Sequence, residues 1–354
     1  MSIQTIGIIG GGQLGRMLAM AAARLNFRTI VLEPQADCPA AQVCNEQIIG
    51  AYDDEAALAK LAERCDVVTY EFENVPVTAA QFLEKSVDVF PPSQALSAAQ
   101  DRVTEKRFLN DCGIATAQFR TVDSQADLER ALADFGGKGV LKTRRMGYDG
   151  KGQRVFKGGE DASGAYEALG SVPLILESFV AFEREVSIIA ARFKDGSVHC
   201  YDLAENVHLN GILHTSTLPA NQTDSAKEQA TQAARKLLGA LDYIGVVGIE
   251  FFVLADGSLI ANEIAPRVHN TGHWTEAACI ISQFEQHIRA IAGLPAGNPQ
   301  RHSDCVMTNL IGDDINDVPD YLAKTDCYVH LYGKTEARPG RKMGHVTLLT
   351  GPVK

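Results

Sequence analysis

The sequence predicts an α/β chain that passes into α+β: a Rossmann-like parallel sheet at the N-terminus, then a small mixed module, then a longer strand-rich region. Strand and helix patterns alternate through the first 70 residues, which implies parallel strands with helices on both faces. The alternation breaks at Pro91-Pro92, and a charged helical segment, Asp101 to Asp111, follows, so the first boundary falls at about residue 100. Beyond it, longer strand runs are joined by Asp-Gly hairpin signals at Asp195-Gly196 and Asp256-Gly257.

In chain order, Thr5 to Ile9 is an apolar strand, Gly10 to Gly12 a turn, and Gln13 to Leu25 a helix. Strand Arg28 to Leu32, helix Asp54 to Arg64 and strand Val67 to Tyr70 complete the parallel pattern. Between Gly113 and Val180 come a strand (Gly139 to Thr143), a glycine-rich turn, a second strand (Gln153 to Phe156), a weak helix and an apolar strand (Leu174 to Phe179). Helices are predicted over Ser225 to Leu241 and Thr275 to Ala292, and the chain closes on a basic, Pro/Gly-rich tail. There is no internal repeat.

The 354 residues are 45% hydrophobic and 22% charged, with a net charge of -11, which disfavours nucleic acid or an anionic membrane as a partner. The longest apolar run, Tyr243 to Ala255, is interrupted by Glu250, so no segment is suited to span a bilayer. The first residues enter a strand without a basic, apolar leader pattern, and the eight cysteines are scattered without a CxxC pair. Both features lead us to expect a reduced, cytoplasmic protein. Any anionic substrate must then be held by locally clustered cations.

Four local patterns carry chemistry. Gly10, Gly12 and Gly15 form GxGxxG between a strand and a helix, with Glu33 at the end of the next strand, which is the dinucleotide fingerprint. Gln13 in that turn leaves room for another ligand, and the glycines could serve only close packing. Glu73, just past strand Val67 to Tyr70, either faces the same cleft or is solvated. Second, Lys142 precedes Gly147-Tyr148-Asp149-Gly150-Lys151-Gly152, a loop whose amides and lysines suit a polyphosphate. Third, a symmetric two-residue turn at Asp256-Gly257 would set Glu250 opposite Glu263. Carboxylates about 5 Å apart repel by about 3 kcal/mol, and a divalent cation reverses the sign. A three-residue loop or a bulge would instead turn them apart. Fourth, Arg267, His269 and Asn270 share a polar loop, and Arg338 to His345 forms a basic cluster that is either a solvated tail or an anion clamp. His269 and His273 have zinc-like spacing, but Pro266 and Gly272 oppose a helix there.

Together, GGGQLGRM, YEFENV, GYDGKGQ, ESFVAFEREVS, IEFF, NEIAPRVHNTGHW and RPGRKMGH run in order along nearly the whole chain. The set resembles the 5-(carboxyamino)imidazole ribonucleotide synthases, ATP-grasp enzymes of purine biosynthesis. The resemblance implies three domains: A (1–100, Rossmann-like), B (101–181, a mobile lid) and C (182–354, with the metal site and basic clamp). It implies ATP and Mg²⁺, bicarbonate-dependent carboxylation of the exocyclic amine of 5-aminoimidazole ribonucleotide through carboxyphosphate, and a homodimer.

Residue by residue, the resemblance assigns Arg102, Lys142, Gly147 to Gln153, Glu177, Ser178, Phe179, Val180, Glu185, His208, Asn262 and Glu263 to ATP. Glu177 to Val180 are the adenine hinge and Glu185 the ribose acid. Gln13, Leu14, Glu73, Tyr148, Arg267, His269, Asn270, Arg338 and Lys342 match the substrate side, and Glu250 and Glu263 the magnesium ligands. Asp149, Lys151 and Lys342 are the catalytic candidates, with Lys342 facing bicarbonate or the amine across from Asp149. Lys151 stands where some family members carry Arg, which removes a bidentate fork. Two rival readings use fewer of the motifs. A nicotinamide-dependent oxidoreductase would use only GxGxxG and Glu33, and a nucleotide-binding regulatory protein would have no need of the clamp.

Overall fold

The computed structural model describes residues 3–147, 150–221 and 223–353. Three sheets organise it. The first contains β1 (Thr5–Ile9), β2 (Arg28–Leu32), β3 (Glu46–Ile48), β4 (Val67–Tyr70) and β5 (Asp88–Val89), all parallel in the order β3-β2-β1-β4-β5. Its central strands β1, β2 and β4 are largely buried because helices cover both faces. The strand order reverses between β1 and β4, so a crevice opens at their carboxyl ends, where Gly10–Gly12 and Glu71–Glu73 lie.

The second sheet is antiparallel, β6 (Phe119–Val122), β7 (Lys138–Thr143), β8 (Gln153–Lys157) and β9 (Leu174–Ser178), in the order β6-β9-β7-β8. Helix Gln125–Asp134 seals it through Leu128 and Leu132 on Leu141, Phe156 and Leu176. Neither β6 nor this helix is expected from the apolar pattern, because β6 carries only one buried residue. The Ser124 N-cap was the available signal.

The third sheet holds β10 (Arg184–Arg192), β11 (Val198–Cys200), β12 (Ala204–Leu209), β13 (Ile212–Leu218), β14 (Gly245–Val253), β15 (Leu259–Ala265), β16 (Ser303–Ile311), β17 (Cys327–Leu331) and β18 (Lys342–Pro352). Its order is β15-β14-β10-β12-β13-β16-β18-β17, with β11 pairing β10. Period-2 alternation divides β10 and β14 between two cores. Val186, Ile188, Val247 and Ile249 meet helix Asp224–Ala240, whereas Ile189, Ala191 and Val246 meet helix Gln283–Ile291. The expected single helix from Thr275 to Ala292 is two, Thr275–Ala278 and Gln283–Ile291. Ser282 stops the first pattern by capping the second helix through the amide of Glu285. The basic tail is also no tail: from Lys342 onward it is β18, a mostly buried interior strand between β16 and β17.

Helix Gln13–Arg24 fastens the first sheet to the third. Leu14, Met17 and Leu18 share one core with Phe284, Ile288 and Ile291. Beneath them the buried His287 bridges the sheets, with Nε2 2.9 Å from Thr69 Oγ1 of β4 and Nδ1 accepting from the Val246 amide of β14 at 3.1 Å.

The GxGxxG turn is filled by the protein itself. Glu71 accepts from the amides of Gly12 (2.6 Å) and Gly15 (2.7 Å), and Glu33 accepts from Gly11 at 2.8 Å. A Cβ on Gly12 would lie 2.5 Å from Glu71 Oε1, so glycine is required by the carboxylate's approach. The amides that would take a dinucleotide phosphate are thus spent on internal anions, and the packing explanation for these glycines is correct. Glu71→Ala would leave two amides without an acceptor and should cost roughly 2 kcal/mol in urea unfolding, with Glu71→Gln losing less. Wild-type stability of Glu71→Ala would refute this account.

Candidate active site

A cavity of about 320 Å³ opens where the crevice of the first sheet faces the third. Gln13, Leu14 and Glu73 line it from the first sheet, Arg102 from helix Arg102–Asp111, and Gly147 from the loop after β7. Glu263, Arg267, His269 and Asn270 line it from β15 and the segment that follows, and Lys342 from the start of β18. Residues more than 300 positions apart therefore line one cavity, as the shared core of helices Gln13–Arg24 and Gln283–Ile291 requires.

The carboxylate pair forms, but by a different route from a symmetric turn. The loop has three residues, with Leu254 donating to Ser258 O at 2.9 Å and Gly257 at φ +80. That loop alone would set Glu250 opposite Asn262. A β-bulge at Asn262 shifts the register by one, so Phe251 pairs Ala261 while Glu250 pairs Glu263. The two deviations cancel, which is the use of a bulge beside a site. Asn262 itself keeps a buried Oδ1 without a hydrogen-bond partner.

Burial and the neighbouring Glu263 push the Glu250 carboxyl up to about 7. Burial opposes ionisation of Glu263 too, but Arg102 and Lys142 outweigh it and lower its pKa, with Arg102 Nη1 3.1 Å from its Oε2. Ionisation of Glu250 beside Glu263 is therefore opposed both by burial and by its neighbour's charge. Two carboxylates and an unpartnered amide oxygen form a hard oxygen donor set, which fits Mg²⁺. Glu185 and His208, joined at 2.8 Å, lie on the same face beside Glu250.

Helix Arg102–Asp111 presents a line of charges to this wall. Arg102 reaches Glu263, Glu105 accepts from the Ile264 amide at 2.6 Å, and Lys106 donates to Asn262 O at 3.3 Å. Lys106 (3.3 Å) and Lys142 (2.9 Å) both engage Glu177, so despite its burial that carboxyl is held at about 2. Glu177 is therefore anchored by its side chain, and half-exposed Phe179 and Val180 follow the end of β9. In the loop between β7 and β8, a Cβ on Gly150 would lie 3.1 Å from Gly211 Cα, so this loop rests on the β12–β13 turn. Lys151 and Gln153 are exposed there, and Tyr148 and Asp149 lie outside the described residues.

On the opposite wall Glu73 faces the cleft and pairs with Arg267 at 2.6 Å. Both side-chain atoms of Asn270 are buried without a protein partner, as expected of a group awaiting a polar ligand. His269 fits closely because Gly248 has no Cβ, which would stand 2.7 Å from the His269 Cβ. Burial, Arg267 and Lys342 lower its pKa to about 3, so the ring is neutral. Lys342 enters through a second bulge, where Leu310 pairs Gly344 but Ile311 pairs Lys342. Arg338 is not brought to the cavity: its side chain is 65% exposed and turned to Glu336. His345, the last residue of the basic cluster, is fully buried, whereas Lys342 lines the cavity.

Glu71, Glu105 and Lys106 escaped sequence reasoning. The signal for the last two was their i+3 and i+4 spacing from Arg102, a pattern that ordinarily marks a solvated face.

Family models match along the chain: a ribonucleotide synthetase preATP-grasp domain over residues 3–100, an ATP-grasp domain over 107–284, and a phosphoribosylaminoimidazole carboxylase C-terminal domain over 305–352. The N5-carboxyaminoimidazole ribonucleotide synthase of Brucella melitensis is 64% identical over 97% of this chain and 95% of its own length. A crystal structure of the ADP complex of an N5-carboxyaminoimidazole ribonucleotide synthetase superposes with a TM-score of 0.95 at 44% identity, covering 99% of this chain and 94% of that one. The Aspergillus clavatus N5-carboxyaminoimidazole synthase, in complex with ADP and 5-aminoimidazole ribonucleotide, superposes with a TM-score of 0.93 at 34% identity, covering 99% and 94%. None of these relatives supports an oxidoreductase.

Glu73 offers a check on the cleft's electrostatics. Burial opposes its ionisation, but Arg267 outweighs that and holds the carboxyl at about 2. A depressed acid contributes stability that is complete above its unfolded pKa of about 4.3 and disappears as pH falls toward 2. Wild type should therefore lose on the order of 2 kcal/mol more than Glu73→Gln across that interval, measured by urea unfolding. Parallel pH profiles would exclude the ion pair.

Proposed function

This chain belongs to the N5-carboxyaminoimidazole ribonucleotide synthase family, and on that premise we propose how its residues divide the ATP-dependent carboxylation of 5-aminoimidazole ribonucleotide. The observation that carries the proposal is the single cavity that joins the Glu263 wall, Gln13 and Glu73, and Lys342.

The nucleotide lies between the second and third sheets. Phe179 and Val180 form the adenine hinge, Glu185 with His208 takes the ribose, and Lys142, Arg102 and the Gly147–Gln153 loop take the phosphates. Glu250 and Glu263, with Asn262 beside them, would hold Mg²⁺, which when bound neutralises charge on the transferring phosphoryl oxygens. Bicarbonate oxygen attacks the γ-phosphorus, the bond to the β-phosphate bridge oxygen breaks, and ADP leaves. The resulting carboxyphosphate splits to CO₂ and phosphate. The exocyclic amine then forms its C–N bond to CO₂ and gives up a proton to phosphate. Lys342 binds the ribonucleotide together with Arg267, Asn270 and Glu73, and also stabilises the anion formed from bicarbonate beside it. The loop resting on the β12–β13 turn keeps water from the intermediate.

We read the assembly as a homodimer and the compartment as cytoplasmic. Support for the compartment comes from the eight cysteines, none of them in a disulfide, and from the lack of a membrane-length apolar helix among the described residues.

Phosphate release should require ATP, Mg²⁺, bicarbonate and 5-aminoimidazole ribonucleotide together, and release without the ribonucleotide at the full rate would contradict the proposal. Glu250→Gln should abolish Mg²⁺-dependent turnover while metal-free melting stays level or rises, because the buried repulsion with Glu263 is relieved. Glu263→Gln should instead lose stability, since it unpairs Arg102. A metal-dependent rate near wild type in either variant would exclude that carboxylate as a ligand. Lys342→Met keeps the stem's packing and should cut carboxylation about 100-fold or more with ATP affinity nearly intact, as calorimetry would show.

A further inference from the structure

Behind the cavity lies a buried polar cluster to which no step above assigns a role. Glu276 Oε2 stands 2.9 Å from His330 Nδ1 and 3.4 Å from His345 Nε2, and Tyr332 Oη is 2.9 Å from His345 Nδ1. His330 and His345 are direct ladder partners on β17 and β18, and the His273 ring lies 4.7 Å from His345. His345 and Tyr332 are fully buried. Two imidazoles and a carboxylate are also a metal-ligand set. However, 2.9 Å is a hydrogen-bond contact, shorter than the roughly 3.3 Å between neighbouring ligands on a tetrahedral ion with bonds of about 2.0 Å.

A polar cluster in such a place stabilises less than apolar packing of the same volume, so its use is specificity of geometry. Two paths lead from it to the cavity. Along β18, His345 is three residues from Lys342, and the bulge at Met343 turns Lys342 back toward the site. That bulge is held from the far side by Tyr332, whose amide donates to Met343 O at 3.0 Å. Along the other path, His273 Nδ1 meets Gln283 Nε2 at 3.2 Å, and Gln283 binds both main-chain groups of His269, Nε2 to its carbonyl at 2.6 Å and Oε1 from its amide at 2.9 Å.

We propose that Glu276, His330, His345 and Tyr332 form a positioning unit for the substrate side of the cavity, fixing the β18 bulge so that Lys342 and His269 stand at one rim. The inference rests on the reading of Lys342 as a substrate-side cation. It predicts that the cluster acts on the ribonucleotide and not on ATP, and that Tyr332 and His345, which stand on the β18 path, act through Lys342.

The test is a double-mutant cycle on the dissociation constant of 5-aminoimidazole ribonucleotide, measured by calorimetry in the presence of ADP, with KM for ATP as the control. Tyr332→Phe removes one hydroxyl, and His345→Gln keeps a group that can reach Glu276; the first is the variant most certain to fold. Each should weaken ribonucleotide binding roughly 3- to 30-fold with KM for ATP within about twofold, and neither should weaken it further in a Lys342→Met background. Tyr332→Phe and His345→Gln both binding as wild type, while Lys342→Met binds poorly, would overturn the positioning role alone. Additive effects in the double variants would overturn action through Lys342. Normal ribonucleotide binding and turnover by Lys342→Met would overturn the underlying reading, and this inference with it. Stoichiometric zinc in the purified protein, lost together with ribonucleotide binding on chelation, would replace the unit by a metal site.

Discussion

Two carboxylates held side by side, Glu250 buried and Glu263 partly open to the cavity, are the constraint from which the rest of the site follows. Glu250 and Glu263 repel each other across neighbouring strands, and the protein offsets that repulsion only in part. Arg102 neutralises one, which obliges helix Arg102–Asp111 to pack on β15. Once there, that helix also supplies Glu105 to the Ile264 amide and Lys106 to the Asn262 carbonyl, so the cations and the strand geometry are set by one element. Lys106 and Lys142 then need a counter-ion of their own, which Glu177 provides on β9. The second sheet is thereby tied electrostatically to the third. The cost of ionising Glu250 beside Glu263 is what a divalent cation would relieve.

The opposite wall depends on packing. The core shared by helices Gln13–Arg24 and Gln283–Ile291 presses the first sheet against the third and places Gln13 and Glu73 opposite Glu263 and Lys342. His287 fixes the same junction by hydrogen bonds to β4 and β14. Apolar area holds the sheets together here, while one buried imidazole with both nitrogens engaged sets their register. The same principle recurs in the Glu276 cluster behind Lys342.

Two β-bulges aim the chemistry. The bulge at Asn262 restores Glu263 to the face of Glu250, and the bulge at Met343 turns Lys342 into the cavity. Met343 does not announce a bulge, and Asn262, a residue type depleted in strands, does not by itself say where the register shifts. The pairing of Glu250 with Glu263 was legible only because a three-residue loop and a bulge compensate each other. Arg338 illustrates the opposite outcome. A dense run of cations suggested a clamp, yet the turn sends Arg338 to Glu336 and solvent and sends His345 into the core.

What the chain alone determined was whatever is encoded by period and local chemistry. The parallel first sheet follows from apolar strands separated by helical patterns, the β14–β15 hairpin from Asp256-Gly257, and the β7–β8 connection from its glycines. Order and spacing of the motifs also sufficed to indicate the family. Tertiary structure alone decided which of those groups meet. GxGxxG reads as a phosphate site until Glu71 and Glu33, far along the chain, are found accepting from its amides. The charges at 105 and 106 carry no assignment in the sequence until β15 is found against them. The reason is the same in each case: a motif specifies which donors and acceptors are available, but the partner that satisfies a buried one is chosen by long-range packing.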